Sequence, residues 1–238
     1  MKALLKLSGQ VLKGSGTDVV DREYLWKLAE VLKRAQTDGH QLAIVVGGGN
    51  LFRFDKQRMD PRDADLDRQL ADGRGMLATV FNGLWLQDVC QATGVKVELY
   101  TAAFSDPKFV QSLNLEAART VLESGSVVIF AGGTGQTGFS TDTSAVGQAV
   151  ELGIGTILKA THTVDGVYSA DPAKVRAARK LPQLTYQQAL EQGLAIMDRT
   201  ALERARAEQL TTIVFSIQNP TNLTGVLIGE TIGTTIHP

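Results

Sequence analysis

Short apolar runs rich in β-branched residues alternate along the chain with longer stretches in which apolar residues recur every three to four positions. The short runs predict strands, and the longer stretches predict amphipathic helices. Strands are expected at residues 3–7, 41–46, 95–100, 126–131, 154–159, 212–217 and near 234–237. Helices are expected at residues 21–37, 74–92, 114–123, 142–152 and, as one or two helices, within 185–208. The alternation predicts an α/β fold with three layers (α/β/α) around an open, mainly parallel twisted sheet.

A charged stretch at residues 53–72 interrupts this alternation. Charge runs usually face water, so a solvated loop or surface helix is the simpler interpretation, and a flap over a ligand is the functional one. No Pro/Ser-rich linker divides the 238 residues, which we interpret as a single domain.

Composition excludes several classes of protein. Lys and Arg number 24 against 25 Asp and Glu, which argues against a protein that coats nucleic acid with positive charge. Cys90 is the one cysteine, so an internal disulfide is excluded and no zinc-ligand spacing is found. No apolar run approaches ~20 residues, and no secretory signal is evident, so we expect a cytoplasmic protein without a membrane span.

Three glycine clusters directly follow three of the predicted strands. They are Ser8-Gly9, Gly47-Gly48-Gly49 and Gly132-Gly133-Thr134-Gly135. The carboxyl ends of parallel strands lie along one edge of an open sheet, where ligands bind. Because glycine lets backbone amides approach phosphate oxygens closely, three clusters on one edge favour a polyphosphate site over three unrelated tight turns.

The sequence motifs around the glycines indicate which class of phosphate-binding protein this is. No G-x-x-x-x-G-K-[ST] motif is present, which excludes a P-loop NTPase. A G-x-G-x-x-G motif, which is typical of dinucleotide-binding folds, occurs at Gly133, Gly135 and Gly138. Two features argue against a dehydrogenase: the motif lies mid-chain, and the next predicted strand ends at Lys159 rather than at an acid suited to a ribose diol. Lys6, in the run LLKLSG, is the more informative residue. It either points to solvent or lies at the ligand edge, where a transferring phosphoryl group would be its partner.

Taken together, the motifs resemble those of bacterial UMP kinases, members of the amino-acid-kinase superfamily. The matching segments occur in family order and span most of the chain: LLKLSG (4–9), VVGGGNLFR (45–53), DGRGMLATVFNGL (72–84), GGTGQTGFSTDTSA (132–145), KATHTVDGVYSADPAK (159–174) and LTYQQALEQGLAIMDRTALERARAEQL (184–210).

The resemblance implies the amino-acid-kinase fold and transfer of the ATP γ-phosphoryl group to UMP, giving UDP. By resemblance, the catalytic residues are Lys6, Arg53, Asp142 and Asp198. The ATP-binding residues are Lys6, Leu7, Ser8, Gly9, Gly49, Arg53, Thr161, Tyr168 and Asp171. The UMP-binding residues are Gly48, Asp72, Thr134, Gly135, Gln136, Thr137, Gly138, Phe139, Ser140 and Thr141.

The resemblance also implies a cofactor, an oligomeric state, and separate parts of the chain for the two nucleotides. Mg²⁺ is expected to enter with ATP, held mainly by the phosphates rather than by a cluster of side chains. A homohexamer is expected, with no nucleic-acid or membrane partner. The acceptor nucleotide is assigned to about residues 1–150 and ATP to about 151–238.

Several alternatives stay open. Asp142 and Asp198 each stand at the start of a predicted helix, where an aspartate commonly caps the helix. Gln136-Thr137-Gly138 replaces the Asn-Pro-Phe type of acceptor loop found in the family. A kinase for a different small acceptor, or a non-catalytic nucleotide- or oxyanion-binding oligomer of the molybdenum-storage type, is therefore the alternative function.

Overall fold

The computed structural model describes residues 1–13, 18–52 and 68–238. Across those ranges the strands are β1 (Lys2–Leu7), β2 (Gln41–Val46), β3 (Val97–Thr101), β4 (Gln111–Ser112), β5 (Val127–Ala131), β6 (Thr156–Thr161), β7 (Val167–Tyr168), β8 (Lys180–Leu181), β9 (Gln183–Thr185), β10 (Thr211–Ser216) and β11 (Thr234–His237). The helices are α1 (Gly9–Lys13), α2 (Arg22–Thr37), α3 (Arg68–Thr93), α4 (Leu115–Glu123), α5 (Thr141–Glu151), α6 (Tyr186–Glu191), α7 (Arg199–Ala207) and α8 (Asn222–Leu227).

Nine of the strands form one sheet in the order β4-β3-β5-β2-β1-β6-β10-β11-β9. Neighbouring strands are parallel except β10 and β11, and β7 and β8 form a separate antiparallel pair. The first strand lies near the middle, between β2 and β6. The predicted mainly parallel α/β/α fold is therefore confirmed.

Each central strand has apolar side chains on both faces, and two cores result. In β1, Leu5 and Leu7 belong to the core beneath α2 and α3, whereas Leu4 belongs to the core beneath α5 and α7. Side chains alternate between faces along a strand, so Lys6 lies on the same face as Leu4. Burying a Leu side chain contributes roughly 1.5–3 kcal/mol, so these two layers fix the sheet between its helices.

Most predicted boundaries differ from the observed ones by no more than two residues, and the start of α3 differs by six. Helix α3 begins at residue 68 rather than 74, because tertiary packing buries Ala71 in a stretch whose Gly73 and Gly75 weaken any local helix signal. Strand β6 begins at residue 156 rather than 154, because the amide of Ile154 bonds to the carbonyl oxygen of Ala149 and still belongs to the turn that ends α5.

The short elements α1, β4, β7, β8 and β9 were not predicted, since two to five residues carry too little periodicity to be recognised. Most of the charged stretch 53–72 lies outside the described residues, and its last five residues form the start of α3. In the ranges that are described, no helix is long and apolar enough to cross a membrane, although α3 has 26 residues.

Candidate active site

The three glycine clusters lie at the carboxyl ends of β1, β2 and β5, which are neighbours in the sheet. The first two loops pack backbone against backbone, since a Cβ atom on Gly9 would lie 2.5 Å from the amide nitrogen of Gly49. Gly48 packs against α3 in the same way, where a Cβ atom would lie 2.9 Å from the carbonyl oxygen of Gly75. Glycine is required at both positions because the chains approach closely, and the loops converge on one edge as the sequence predicts.

Two lysines and one aspartate meet beside this edge. Lys6 of β1 and Lys159 of β6 are directly paired across the two parallel strands. The ammonium nitrogen of Lys6 lies 3.0 Å from Oδ1 of Asp142, and that of Lys159 lies 2.7 Å and 2.8 Å from its two carboxylate oxygens. The structure therefore buries Lys6 instead of pointing it to solvent, and it adds Lys159, which sequence reasoning did not place in the site.

The electrostatics of this trio are those of a buried cationic centre. The side chains of Lys6, Lys159 and Asp142 are 10%, 12% and 16% exposed. Burial alone would raise the pKa of Asp142, but the charges of the two lysines outweigh it and hold that pKa below its usual value. Burial, reinforced by the charge of Lys6, lowers the pKa of Lys159. Within the trio one carboxylate faces two ammonium groups, and the charge of Asp198 also acts on Lys159. The two ammonium groups together are suited to an anionic ligand.

The first turn of α5 carries Asp142 to the lysines. Ser140 is the N-cap of this helix, and its Oγ accepts hydrogen bonds from the amides of Asp142 at 3.0 Å and Thr143 at 3.1 Å. Capping by Asp142, which the sequence left open, is therefore wrong, and its carboxylate serves the lysines instead. Asp198 is a cap, at the start of α7, where it accepts a 2.9 Å hydrogen bond from the amide of Ala201.

A cavity of about 320 Å³ opens beside the trio, between α3 and the loop after β5. Many of the residues expected to bind the acceptor line it: Gly48, Asp72, Thr134, Gln136, Phe139, Ser140 and Thr141. Gly49, assigned to ATP, lines it as well. Gly138 closes the loop toward α3, since its amide donates a 2.6 Å hydrogen bond to Oδ2 of Asp72. Gly135 lines a neighbouring cavity on the other side of Met76.

Four polar residues that the sequence analysis did not single out hold these loops in place. Thr79 donates to the carbonyl oxygen of Met76 and accepts from the amide of Gly132. The remaining three, which bond to the glycine loops or to each other, are Asn50, Asn82 and Ser144. Thr79 and Asn82 are 2% and 0% exposed. Polar residues on the buried face of an apolar helix need partners, and that signal could have identified them.

The residues expected to hold adenosine lie further along the sheet. Thr161 ends β6 and donates a 3.0 Å hydrogen bond to the carbonyl oxygen of Phe215 on β10. Tyr168 lies on β7 and bonds through its hydroxyl to Asp165. Asp171 holds the turn after β7 by accepting from the amide of Ala173. The side chain of Arg53 lies outside the described residues, so its predicted contact stays a prediction.

The described residues offer little for a metal ion on their own. Within them, no group of three or more His, Cys, Asp or Glu side chains is arranged to hold one. The oxygens of Asp142 face two lysines, and those of Asp198 face two hydroxyl groups and an amide. This donor set fits Mg²⁺ only as an ion that keeps phosphate oxygens and water as most of its ligands.

The sequence and the fold were compared with those of known proteins. The sequence model of the amino acid kinase family matches residues 1–216. A uridylate kinase of Cutibacterium acnes is 39% identical over 236 residues, which cover 99% of this chain and 97% of that protein. A uridylate kinase of Bradyrhizobium sp. is 40% identical over 235 residues, covering 99% and 96%. The crystal structure of UMP kinase from Ureaplasma parvum matches with a TM-score of 0.91 at 31% identity, covering 100% of this chain and 99% of that one.

Proposed function

This chain belongs to the amino acid kinase family, and from that premise we propose that it is a UMP kinase, which transfers the γ-phosphoryl group of ATP to UMP. The family indicated by the motifs is confirmed, and relatives at 39% and 40% identity over nearly the whole chain are uridylate kinases. The observation that carries the proposal is the buried trio of Lys6, Lys159 and Asp142 beside a cavity lined by Asp72 and the glycine loops.

The reaction requires two phosphate groups to meet in line. A phosphate oxygen of UMP attacks the γ-phosphorus of ATP, the bond from that phosphorus to the β–γ bridging oxygen breaks, and ADP leaves. The acceptor cavity lies on the β2 and β5 side of the trio, so we assign the donor to the side of β6. Lys6 and Lys159 then stabilise the negative charge that develops on the moving group, which is the main task of such a site.

Asp142 has a supporting task. Two ammonium groups would repel each other at the ends of neighbouring strands, which lie about 4.8 Å apart. The carboxylate between them keeps both side chains directed to the same point. Such preorganisation spares the site from reordering its charges during the reaction.

We assign the ATP phosphates to Lys6 and to the backbone amides of Ser8, Gly9 and Gly49, with Arg53 as a further predicted contact. The short helix α1 begins at Gly9. Thr161, Tyr168 and Asp171 are assigned to adenosine. Mg²⁺ bound to the phosphates would neutralise part of their charge.

We assign UMP to the cavity between α3 and the 134–141 loop, with Asp72 directed to the ribose. The chain's own hydrogen bond from Gly138 to Asp72 supports this role, because it fixes one carboxylate oxygen at the mouth of the cavity. The division predicted from the sequence, with the acceptor in about residues 1–150 and ATP in about 151–238, then applies to UMP and to the adenosine of ATP, whereas the ATP phosphates are assigned to residues of the first part.

Self-association is the expected context of this activity. Leu70, Leu77 and Phe81 lie at helical spacing on α3 and are 61%, 54% and 43% exposed. An apolar stripe of this kind on a surface helix is typical of an interface. We propose that a second copy of the chain covers it, in an oligomer for which a hexamer is the predicted size, and that the protein acts in the cytoplasm.

The variant Asp72→Ala tests the acceptor assignment. It removes the carboxylate from the cavity. The KM for UMP is therefore expected to rise about tenfold or more, which is the usual effect of losing a hydrogen bond to a charged group. The KM for ATP should stay within a factor of about two, because the substitution leaves the loops assigned to the ATP phosphates, Ser8-Gly9 and the one that contains Gly49, unchanged. Equal KM values for UMP in the variant and the wild type, measured by ADP release, would remove Asp72 from the acceptor site.

A further inference from the structure

The N-terminal ends of α5 and α7 meet at one carboxylate, that of Asp198. Its Oδ2 accepts a hydrogen bond from the hydroxyl of Ser140, and the hydroxyl of Thr143 lies 3.2 Å and 3.3 Å from its two oxygens. Its Oδ1 also accepts the amide of Ala201 in its own helix. Both oxygens are thus engaged by donors of α5 and α7.

The hydroxyl of Ser140 links this carboxylate to the trio. A serine hydroxyl has one proton to donate and two lone pairs to accept with. In Ser140 the proton goes to Asp198, and both lone pairs receive amides, those of Asp142 and Thr143. A continuous chain of hydrogen bonds therefore runs from the backbone of Asp142 through Ser140 to Asp198.

These hydrogen bonds hold the first turn of α5, which carries the carboxylate of Asp142. Asp142 is the second residue of α5, and its side chain reaches the ammonium groups of Lys6 and Lys159 at 2.7–3.0 Å. A shift of the first turn of α5 would move that carboxylate away from both lysines at once. A misplacement of about 1 Å within an active site, even one caused by a change outside it, can cost about 100-fold in rate.

We propose that Asp198 is a positioning residue, which fixes the first turn of α5 through Ser140 and Thr143 and so sets the Lys6–Asp142–Lys159 geometry. It exchanges no proton with a nucleotide and binds no metal ion. The inference rests on the proposed phosphoryl transfer for its effect on rate, whereas its structural part stands on the hydrogen bonds alone.

The variant Asp198→Asn isolates this task. An asparagine oxygen can still accept the amide of Ala201 and cap α7, but its NH₂ group cannot accept the proton of Ser140. We expect kcat to fall about tenfold to 100-fold, with the KM values for ATP and UMP and the dependence on Mg²⁺ concentration within a factor of about two. The matched control is Asp21→Asn, which changes the N-cap of α2, where Asp21 accepts from Tyr24 at 2.9 Å. It should keep the wild-type kcat.

Amide hydrogen exchange gives a readout independent of turnover. The amides of Asp142 and Thr143 have Ser140 Oγ as their acceptor. Their exchange should become faster in Asp198→Asn and stay unchanged in Asp21→Asn. Wild-type exchange rates at both amides in Asp198→Asn would overturn the inference even if the kinase activity is as proposed. A wild-type protein without turnover would instead overturn the proposed function.

A double-mutant cycle with Ser140→Ala separates positioning from a direct role. Because Ser140→Ala already breaks the hydrogen-bond chain, adding Asp198→Asn should lower kcat by less than a further factor of about two. If instead the decreases in kcat of the two single variants multiply in the double variant, or if Asp198→Asn requires a higher Mg²⁺ concentration, Asp198 acts directly and the inference is overturned. If Ser140→Ala does not fold, Ser140→Gly takes its place in the cycle with the same two outcomes, because glycine also lacks the hydroxyl and is well tolerated at an N-cap.

Discussion

Lys6 and Lys159 differ in how far the sequence reveals them. Lys6 interrupts an apolar run next to Ser8-Gly9, so its charge is conspicuous in the sequence itself. Lys159 lies within the run ILKAT and has no such neighbour. Its role becomes visible only through the register that pairs it with Lys6 across β1 and β6. Strand order and register depend on long-range packing, which a local pattern does not contain.

Replacing Lys159 tests whether the pair acts as one centre. Lys159→Met keeps the length of the side chain and removes its charge, so kcat should fall about 100-fold to 1,000-fold, the usual loss for one charge-stabilising donor. Lys27→Met removes a surface lysine that pairs with Glu23, and it should leave kcat unchanged. Steady-state ADP release measures both. A wild-type kcat in Lys159→Met, with its melting temperature preserved, would contradict the shared role.

Among the elements, α3 shows what tertiary packing adds to a sequence pattern. The strands that precede the glycine loops were predicted within two residues, because their apolar runs are local. The first turns of α3 were not, although they carry Asp72 to the acceptor cavity. Those turns contain glycine and polar residues, and they are helical because Ala71 is buried and Gly75 packs beneath Gly48.

Gly48→Ala tests that packing. A Cβ atom there would lie 2.8 Å from the Cβ of Ala78 and 2.9 Å from the carbonyl oxygen of Gly75, so either the loop or α3 must shift. We expect a loss of about 1–3 kcal/mol in the free energy of unfolding, the cost of overpacking, together with a higher KM for UMP. Chemical denaturation and the ADP-release assay measure the two effects.

Gly155→Ala is the control for Gly48→Ala. No atom lies within 4 Å of a Cβ atom at Gly155, and its φ is outside the left-handed region. The same chemical change should therefore leave both stability and the KM for UMP close to the wild-type values. If Gly48→Ala behaved like Gly155→Ala, the close approach of the β2 loop to α3 would be wrong.

At the scale of the whole molecule, the sheet order brings the site together. Three loops from distant parts of the chain converge because β5, β2 and β1 are neighbours, and β6 adds Lys159 from the other side. The sequence predicts the convergence, since all parallel strands end at one edge, but it does not give the order of the strands. The same fold presents the apolar stripe of α3 on the surface, where Leu70 and Leu77 line the cavity that neighbours the acceptor cavity.

Leu77→Asp tests whether a second copy covers this stripe. A carboxylate at a buried interface is costly to desolvate, so the variant should shift the protein toward a smaller assembly in light scattering after size-exclusion chromatography. Ile228→Asp, at an exposed apolar residue outside the stripe, should leave the assembly unchanged. An identical mass for Leu77→Asp and the wild type would place the interface elsewhere.

The most direct test of the proposed function is ADP release from ATP and Mg²⁺ with UMP, dUMP, CMP, AMP and GMP offered separately. The prediction is turnover with UMP at a kcat/KM at least about 100-fold above that for the other acceptors, the discrimination that paired polar groups in a site can supply, and loss of turnover in Lys6→Ala. Tight binding of ATP without turnover of any of these nucleotides would contradict it and would favour a different acceptor or a non-catalytic binding protein.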